Sequence, residues 1–355
     1  MSIHKIALPQ TILVGPGAIN NVNNICNDLK MRGKLIILTG PHVKEVAGER
    51  VYKILNDNNM ESELYVLDGK NPIHDVENIS ERIKASNNVS CIFGVGGGKI
   101  IDIAKLISLK VGVPYISIPT AASHDGIASP IASIKAFNGK YKPSIMVNPP
   151  LAVIADSNII IKAPYKLLAS GCGDIIAKFT AIRDWRLAKK RVNEYYGEYA
   201  ASLALMSASL IVKHAKKIRA LKEESVRTVV EALISCGVAM CIAGSSRPCS
   251  GSEHLFSHAL DIIAKKPALH GEQCGVGTII MMYLHGGNWQ RIKRTLSIIG
   301  APTNAKELGV EENEIIEAII KAKEIRKDRY TILNEKSLGW REAENIASTT
   351  GIIKE

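Results

Sequence analysis

VSCIFGVGGGKIIDIAKLISLKVGVPYISIPT, residues 89–120, decides the fold class of this 355-residue chain. VSCIFGVGGG (89–98) is an apolar run that ends in glycines, IDIAKLISL is helical, and VPYISIPT (113–120) is the next apolar run. Strand, glycine turn, helix and strand make one unit of a parallel sheet. Its strands read as near-continuous apolar runs because helices cover both faces. The same alternation holds toward the N-terminus, through KLIILT (34–39), the helical VAGERVYKILND, ELYVLDG (63–69) and the amphipathic HDVENISERIKAS. On the other side, Asn138-Gly139 between two apolar segments predicts a hairpin, and LAVIADS (151–157) is the last strand. After Pro164 only helical patterns remain, among them YGEYAASLALMSASLIVKHAKKI, EALISCGVAMCIAG, EHLFSHALDIIAKK and EENEIIEAIIKAKEIR. The expectation is a Rossmann-like parallel α/β domain over 1–160, an all-helical domain over 161–355, and a ligand cleft between them. No internal repeat or low-complexity segment occurs.

Composition is that of a globular chain, 46 % hydrophobic and 22 % charged. No apolar run approaches the roughly 20 residues that cross a bilayer, and MSIHKIALPQTILVGPG lacks the apolar core of a signal peptide. Cytoplasmic localisation is the resulting expectation. Seven scattered cysteines (26, 91, 172, 236, 241, 249, 274) without a CxxC pair argue against a disulfide framework or a zinc ribbon. Cys172 and Cys274 lie close in sequence to the candidate ligands below, and both read as small buried thiols. The formal net charge of +11 is compatible with an anionic substrate. The densest basic run, KAKEIRKDR, reads as a solvated helix face.

In GVGGGKIID (94–102), four glycines fall within five residues between a strand and a helix. Glycines there let a diphosphate approach the backbone, and the helix N-terminus favours negative charge. The pattern is not GxGxxG, because Lys99 stands where the third glycine would fall, nor is it a Walker loop. A tight turn is the bland alternative. A switch-point position in the sheet favours a phosphate cradle.

The helical half carries the metal-ligating residue types. Asp174 in GCGD precedes a helical pattern, and an N-terminal capping acid is its bland reading. His254 and His258 in SEHLFSH are spaced i, i+4 on one helix face, and His270 opens a further helix. Two imidazoles and a carboxylate from different helices suit a catalytic zinc with an open position. Spacing alone leaves His258 as good a ligand candidate as His270. His4, His42, His74, His214 and His285 read as ordinary histidines.

Taken in order, PQTILVGPGAI, GVGGGKIIDIAK, IPTAASHDGIASP, GCGDIIAK, SRPCSGSEHLFSHAL and ALHGEQCGVG make a pattern that spans nearly the whole chain. It resembles the superfamily of iron- or zinc-dependent polyol dehydrogenases and dehydroquinate synthases. TAASHDGIASP, DWRLA and SRPCSGSEHLFSH are similar to its archaeal sn-glycerol-1-phosphate dehydrogenase branch. The resemblance implies Asp174, His254 and His270 as ligands of one Zn2+ per chain. It places Asp174 in the catalytic and substrate site as well, with His258 beside the substrate and Asp125 contacting it. Gly96, Gly97, Gly98, Lys99, Ile100 and Asp102 match the diphosphate turn of an NADPH or NADH site. Thr120, Ala121, Ala122, Ser123 and Ser129 match the segment lining the nicotinamide. The implied reaction is reduction of dihydroxyacetone phosphate to sn-glycerol 1-phosphate, the archaeal membrane-lipid backbone. The implied partners are a small phosphorylated substrate and further copies of the chain in a homo-oligomer, with no nucleic acid and no stable membrane insertion. Lys178 and Arg247 are the cations considered for the substrate phosphate, each with an ordinary surface charge as the alternative.

One departure concerns the cofactor. Gly40 in ILTGPHVKEVAG falls where NAD-restricted relatives often carry an aspartate that binds the adenosine ribose and repels a 2′-phosphate. His42 and Lys44 stand nearby. The rival readings are a glycerol or polyol dehydrogenase, a dehydroquinate synthase-like enzyme and a non-catalytic nucleotide-binding regulator. Relatives of the synthase type typically have glutamate where this chain has Asp174, and the intact Asp174, His254, His258 and His270 speak against a regulator.

Overall fold

The computed structural model describes residues 3–86, 88–137 and 140–354. Contacts divide the chain into two compact units, Met1–Pro164 and Tyr165–Glu355.

The first unit is built on a parallel sheet of six strands: β1 (Thr11–Gly15), β2 (Lys34–Thr39), β3 (Ser62–Val66), β4 (Val89–Gly96), β5 (Tyr115–Pro119) and β8 (Ala152–Asp156), in the order β1-β8-β5-β4-β2-β3. β2, β4, β5 and β8 coincide with the apolar runs and are almost wholly buried, as strands covered on both faces must be. Ile37, Phe93, Val95, Ile116 and Ile154 are fully buried in the core they share. β1 pairs in parallel with β8 at the sheet edge, where half-buried residues carry a weaker apolar signal. β6 (Ile131–Phe137) and β7 (Lys140–Met146) form a separate antiparallel pair. The Asn138-Gly139 turn expected between them lies outside the described residues.

Strand order gives this sheet a switch point between β2 and β4. From β2 the chain moves outward to β3, returns to β4 on the other side of β2, and continues to β5. β2 runs into Gly40 and β4 into Gly97, with Thr39 opposite Val95. The carboxyl ends of two such strands frame a crevice, the usual ligand position in an open α/β sheet.

The second unit is built from helices joined by loops, with no strand among its described residues. The helices that position the site are Tyr165–Ile176, Lys178–Val192, Ser252–Ile263 and His270–Leu284. One helix corrects the expectation of no long apolar segment: Glu223–Ala243 has the length and composition to cross a membrane. In this fold 67 % of its apolar window is buried inside the protein.

Candidate active site

Asp174 is not a capping acid ahead of a helix. It lies in the last turn of Tyr165–Ile176, and the glycines around it exist for packing. A Cβ on Gly173 would stand 2.2 Å from the carbonyl oxygen of Gly271, and one on Gly271 would stand 1.9 Å from that of Ser170. Only glycine permits two helix backbones to approach so closely. Asp174 and His270, each the neighbour of one of these glycines, are brought together by that contact.

The result is a buried donor cluster of Asp174, His254, His270 and Cys274, with one donor atom from each all within 4.8 Å of one another. His254 Nε2 is 3.4 Å from Asp174 Oδ1, and Cys274 Sγ is 3.6 Å from His270 Nε2. These separations match the edges, about 3.3–3.6 Å, of a tetrahedron with metal bonds of zinc–nitrogen, –oxygen and –sulfur length. The donor set therefore fits a divalent ion. His254 Nδ1 is held at 2.8 Å by Glu253 Oε1, which turns Nε2 toward the cluster, while Ser257 Oγ lies 3.2 Å from His270 Nδ1. A carboxylate behind a ligating histidine fixes its tautomer and ring orientation. Glu253 is itself anchored by Gly251 N at 2.7 Å and Thr180 Oγ1 at 2.7 Å.

The electrostatics are those of a site that accumulates charge out of water. Burial alone would raise the Asp174 carboxyl, but Lys178, His254 and His270 hold it well below its usual range. Lys178 is fully buried with Nζ 2.7 Å from Asp174 Oδ1, so it is no surface charge and its cation is committed to the carboxylate. His258 is on the same helix as His254 and stacks on His270 at 5.8 Å between ring centroids. Burial, with the His254 and Arg329 charges, outweighs the opposing pull of Asp261 and lowers its pKa. Both Cys172 and Cys274 are buried, and burial pushes both thiols up.

Arg247 is also internal, its guanidinium paired with both Glu194 oxygens and donating to Tyr330 O at 3.0 Å. The basic run KAKEIRKDR is not wholly a solvated face: its helix ends at Ile325, and Arg329 is buried. His285 bonds Asp184 Oδ1 at 2.9 Å. Asp184 also accepts from Ser252 N, Ser252 Oγ and Ile332 N, a structural knot at the start of Ser252–Ile263.

In the first unit, Gly97 sits between β4 and the helix Gly98–Val111, at the carboxyl edge of the switch point. A Cβ on Gly97 would meet nothing within 4 Å, while one on Gly98 would strike the His124 imidazole and one on Gly96 would strike Ile100. Gly97 alone of the three is glycine beside open space. Lys99 is exposed and donates to Gly69 O at 3.2 Å. Asp102 instead ties its helix to β6: Oδ1 is 3.1 Å from Lys105 Nζ, and Oδ2 accepts from Ser133 N. Ser129 accepts from the same Lys105 at 3.4 Å. Thr120, Ala121 and Ala122 are buried just after β5, with Ser123 and Asp125 half-buried beyond them.

Sequence reasoning missed Glu253 and Arg329 and left His124 without a role. For Glu253 the available signal was an acid directly beside a ligand candidate. For His124 it was the imidazole within SHDG, directly before Asp125; the His124 Nδ1 accepts from Gly126 N.

Comparison with known proteins agrees over both units. The family described as iron-containing alcohol dehydrogenase matches residues 13–164. The glycerol-1-phosphate dehydrogenase [NAD(P)+] of Methanosarcina mazei is 53 % identical over 346 residues, covering 98 % of this chain and 96 % of that one. The protein of the same description from Methanothermobacter thermautotrophicus is 50 % identical and covers 99 % and 100 %. Among solved structures, glycerol dehydrogenase from Schizosaccharomyces pombe superposes with a TM-score of 0.79 at 19 % identity, covering 99 % of this chain and 91 % of that one. A probable glycerol dehydrogenase from Sinorhizobium meliloti also gives 0.79, at 18 % identity and 98 % of each chain. The structures establish the shared fold, and identity of about half over essentially the full length establishes more: the chain belongs to the glycerol-1-phosphate dehydrogenase family.

Proposed function

We propose that the chain catalyses NAD(P)H-dependent reduction of dihydroxyacetone phosphate to sn-glycerol 1-phosphate, with one Zn2+ held by Asp174, His254 and His270. The observation that carries this reading is the buried convergence of those donors, together with the relatives' printed activity. When bound, the ion supplies Lewis-acid polarisation of the C2 carbonyl and stabilises negative charge on its oxygen. The nicotinamide, when bound, supplies the hydride.

The chain's own residues do the rest. Glu253 and Ser257 orient the two histidines, and Lys178 balances the buried Asp174 charge. His258 delivers, directly or through a water, the proton that the C2 oxygen requires, and Asp125 fixes a substrate hydroxyl. Cys274 stays a thiol in the wall, because a catalytic zinc keeps a position open for substrate and a fourth protein ligand would fill it. Gly96, Gly97, Gly98, Lys99 and Ile100 form the diphosphate turn, and Thr120 to Ser123 line the nicotinamide. Asp102 and Ser129 support that region through Lys105. Residues 1–160 are thus the nucleotide-binding domain, and residues 161–355 the metal and substrate domain. Seven buried free cysteines suit a reducing cytoplasm.

The test is NADPH oxidation with dihydroxyacetone phosphate against dihydroxyacetone, using the zinc-loaded protein. A strong preference for the phosphorylated ketone is expected, and equal or greater activity on the unphosphorylated one overturns the reading.

A further inference from the structure

Neither cation considered for the substrate phosphate is available for it. Lys178 is bound to Asp174, and Arg247 is bound through its fork to Glu194. Arg329 differs from both. It is only 6 % exposed, yet no carboxylate among the described residues lies within ion-pair distance of it. Its Nη1 donates to Ser250 O at 2.6 Å and its Nη2 to Ser246 Oγ at 2.7 Å. Nε–H and one hydrogen on each terminal nitrogen remain unused by these bonds. The nearby Asp328 carboxylate is taken by Arg326. Burial first, then the Arg326 and Arg247 charges, pulls the Arg329 pKa down to about 9 against the weaker opposing pull of Glu194 and Asp328.

A buried cation with no carboxylate in contact is costly and persists where something supplies further negative charge. A role confined to tying the loop 244–251 would need only a donor, not a full charge. The surroundings match a phosphate: a planar fork suited to two oxygens at once, with the Ser246 hydroxyl beside it. The place also matches. That loop leads directly into Ser252–Ile263, which carries His254 and His258.

We propose that Arg329, seated on Ser246 and Ser250, is the anchor for the phosphate monoester of the substrate. The proposal rests on the reading of the chain as a dehydrogenase of a phosphorylated ketone. Within that reading, Arg329 sets the preference for a phosphorylated over an unphosphorylated ketone.

The experiment compares zinc-loaded native protein with Arg329→Met, taking kcat/KM for dihydroxyacetone phosphate and for dihydroxyacetone. A parallel titration uses inorganic phosphate as a competitive inhibitor. In the variant the ratio of the two kcat/KM values should fall by about 100-fold or more, mainly through KM for the phosphorylated ketone. Inhibition by inorganic phosphate should weaken at least about tenfold in parallel. If Arg329→Met does not fold, Arg329→Lys carries both measurements, since it keeps a cation and loses the fork. An equal loss on both ketones, or a rise in KM for NADPH alone, would show a loop clamp or a cofactor contact and overturn the proposal. A native protein that does not discriminate between the ketones instead overturns the underlying reading of function.

Discussion

Gly173 faces Gly271 so closely that a methyl group on the first would stand 2.2 Å from the carbonyl oxygen of the second. The residues that follow and precede them, Asp174 and His270, belong to the donor cluster. Helix packing and ligand geometry are therefore one constraint. Gly173→Ala should lower stability by about 1–3 kcal/mol, the usual cost of overpacking. It should also reduce zinc content, because the two helices must separate. Thermal unfolding and elemental analysis read the two effects, and a variant unchanged in both would disprove the link.

The ligand assignment predicts a division among the histidines. Asp174→Ala, His254→Ala and His270→Ala should each lose zinc and nearly all activity. His258→Ala should retain zinc and turn over about 100-fold or more slowly, the loss expected for a proton donor. Metal content separates the groups without reference to rate. Loss of zinc in His258→Ala with retention in His270→Ala would reverse the assignment.

Cys274 gives a spectroscopic test of the three-ligand site. Its sulfur lies 3.6 Å from His270 Nε2, close enough that geometry alone admits it as a fourth ligand. The cobalt(II)-substituted protein should nevertheless lack an intense sulfur-to-metal band in the near ultraviolet. Cys274→Ser should leave the visible cobalt spectrum and the zinc content unchanged. An intense band that disappears in Cys274→Ser would mean the thiolate closes the site.

What was legible in the sequence follows from how far each signal reaches. β2, β4, β5 and β8 were visible because strands buried on both faces need uninterrupted apolar residues. β1, half-buried at the edge, carries no such run and was not recognised. His254 and His258 share a face by local periodicity, whereas the choice between His258 and His270 depends on contacts between helices that spacing cannot show. Arg329 was absorbed into a basic run because charge clusters usually face water. Its burial is set by Ser246 and Ser250, far away in the chain.

Gly97 offers a clean separation of folding from nucleotide binding. Its backbone is extended, at φ −75° and ψ 179°, and a Cβ would meet no atom within 4 Å. Valine fits that conformation, so Gly97→Val should melt near the native temperature. It would also place a branched side chain where the diphosphate must approach the amides at the helix start. NADPH affinity should collapse in a calorimetric titration, and native affinity would remove the turn from the cofactor site.

The last expectation concerns the choice between cofactors, which turns on Gly40. This residue follows β2 at the switch point, where an acid would bind the ribose hydroxyls and repel a 2′-phosphate. Glycine does neither. Of the two nearby groups that could answer a phosphate, His42 is exposed, while Lys44 is ion-paired with Glu49 at 3.2 Å. Lys44 therefore contributes less than its position in the sequence suggests, and the absence of an acid is the larger effect. NADPH should be accepted at least as well as NADH, in keeping with the NAD(P)+ designation of the relatives. A Cβ at Gly40 would make only ordinary contacts, 3.8–4.0 Å from Ile100 and Leu67 O, so an aspartate can be introduced without disturbing the turn. Gly40→Asp should shift preference toward NADH, chiefly by raising KM for NADPH, with Lys44→Ala producing a smaller change. Both constants must be taken at one ionic strength, because salt screens exposed phosphate contacts. A native enzyme that proved strictly NADH-dependent would show that a different residue meets the ribose, and Gly40 would lose its place in cofactor choice.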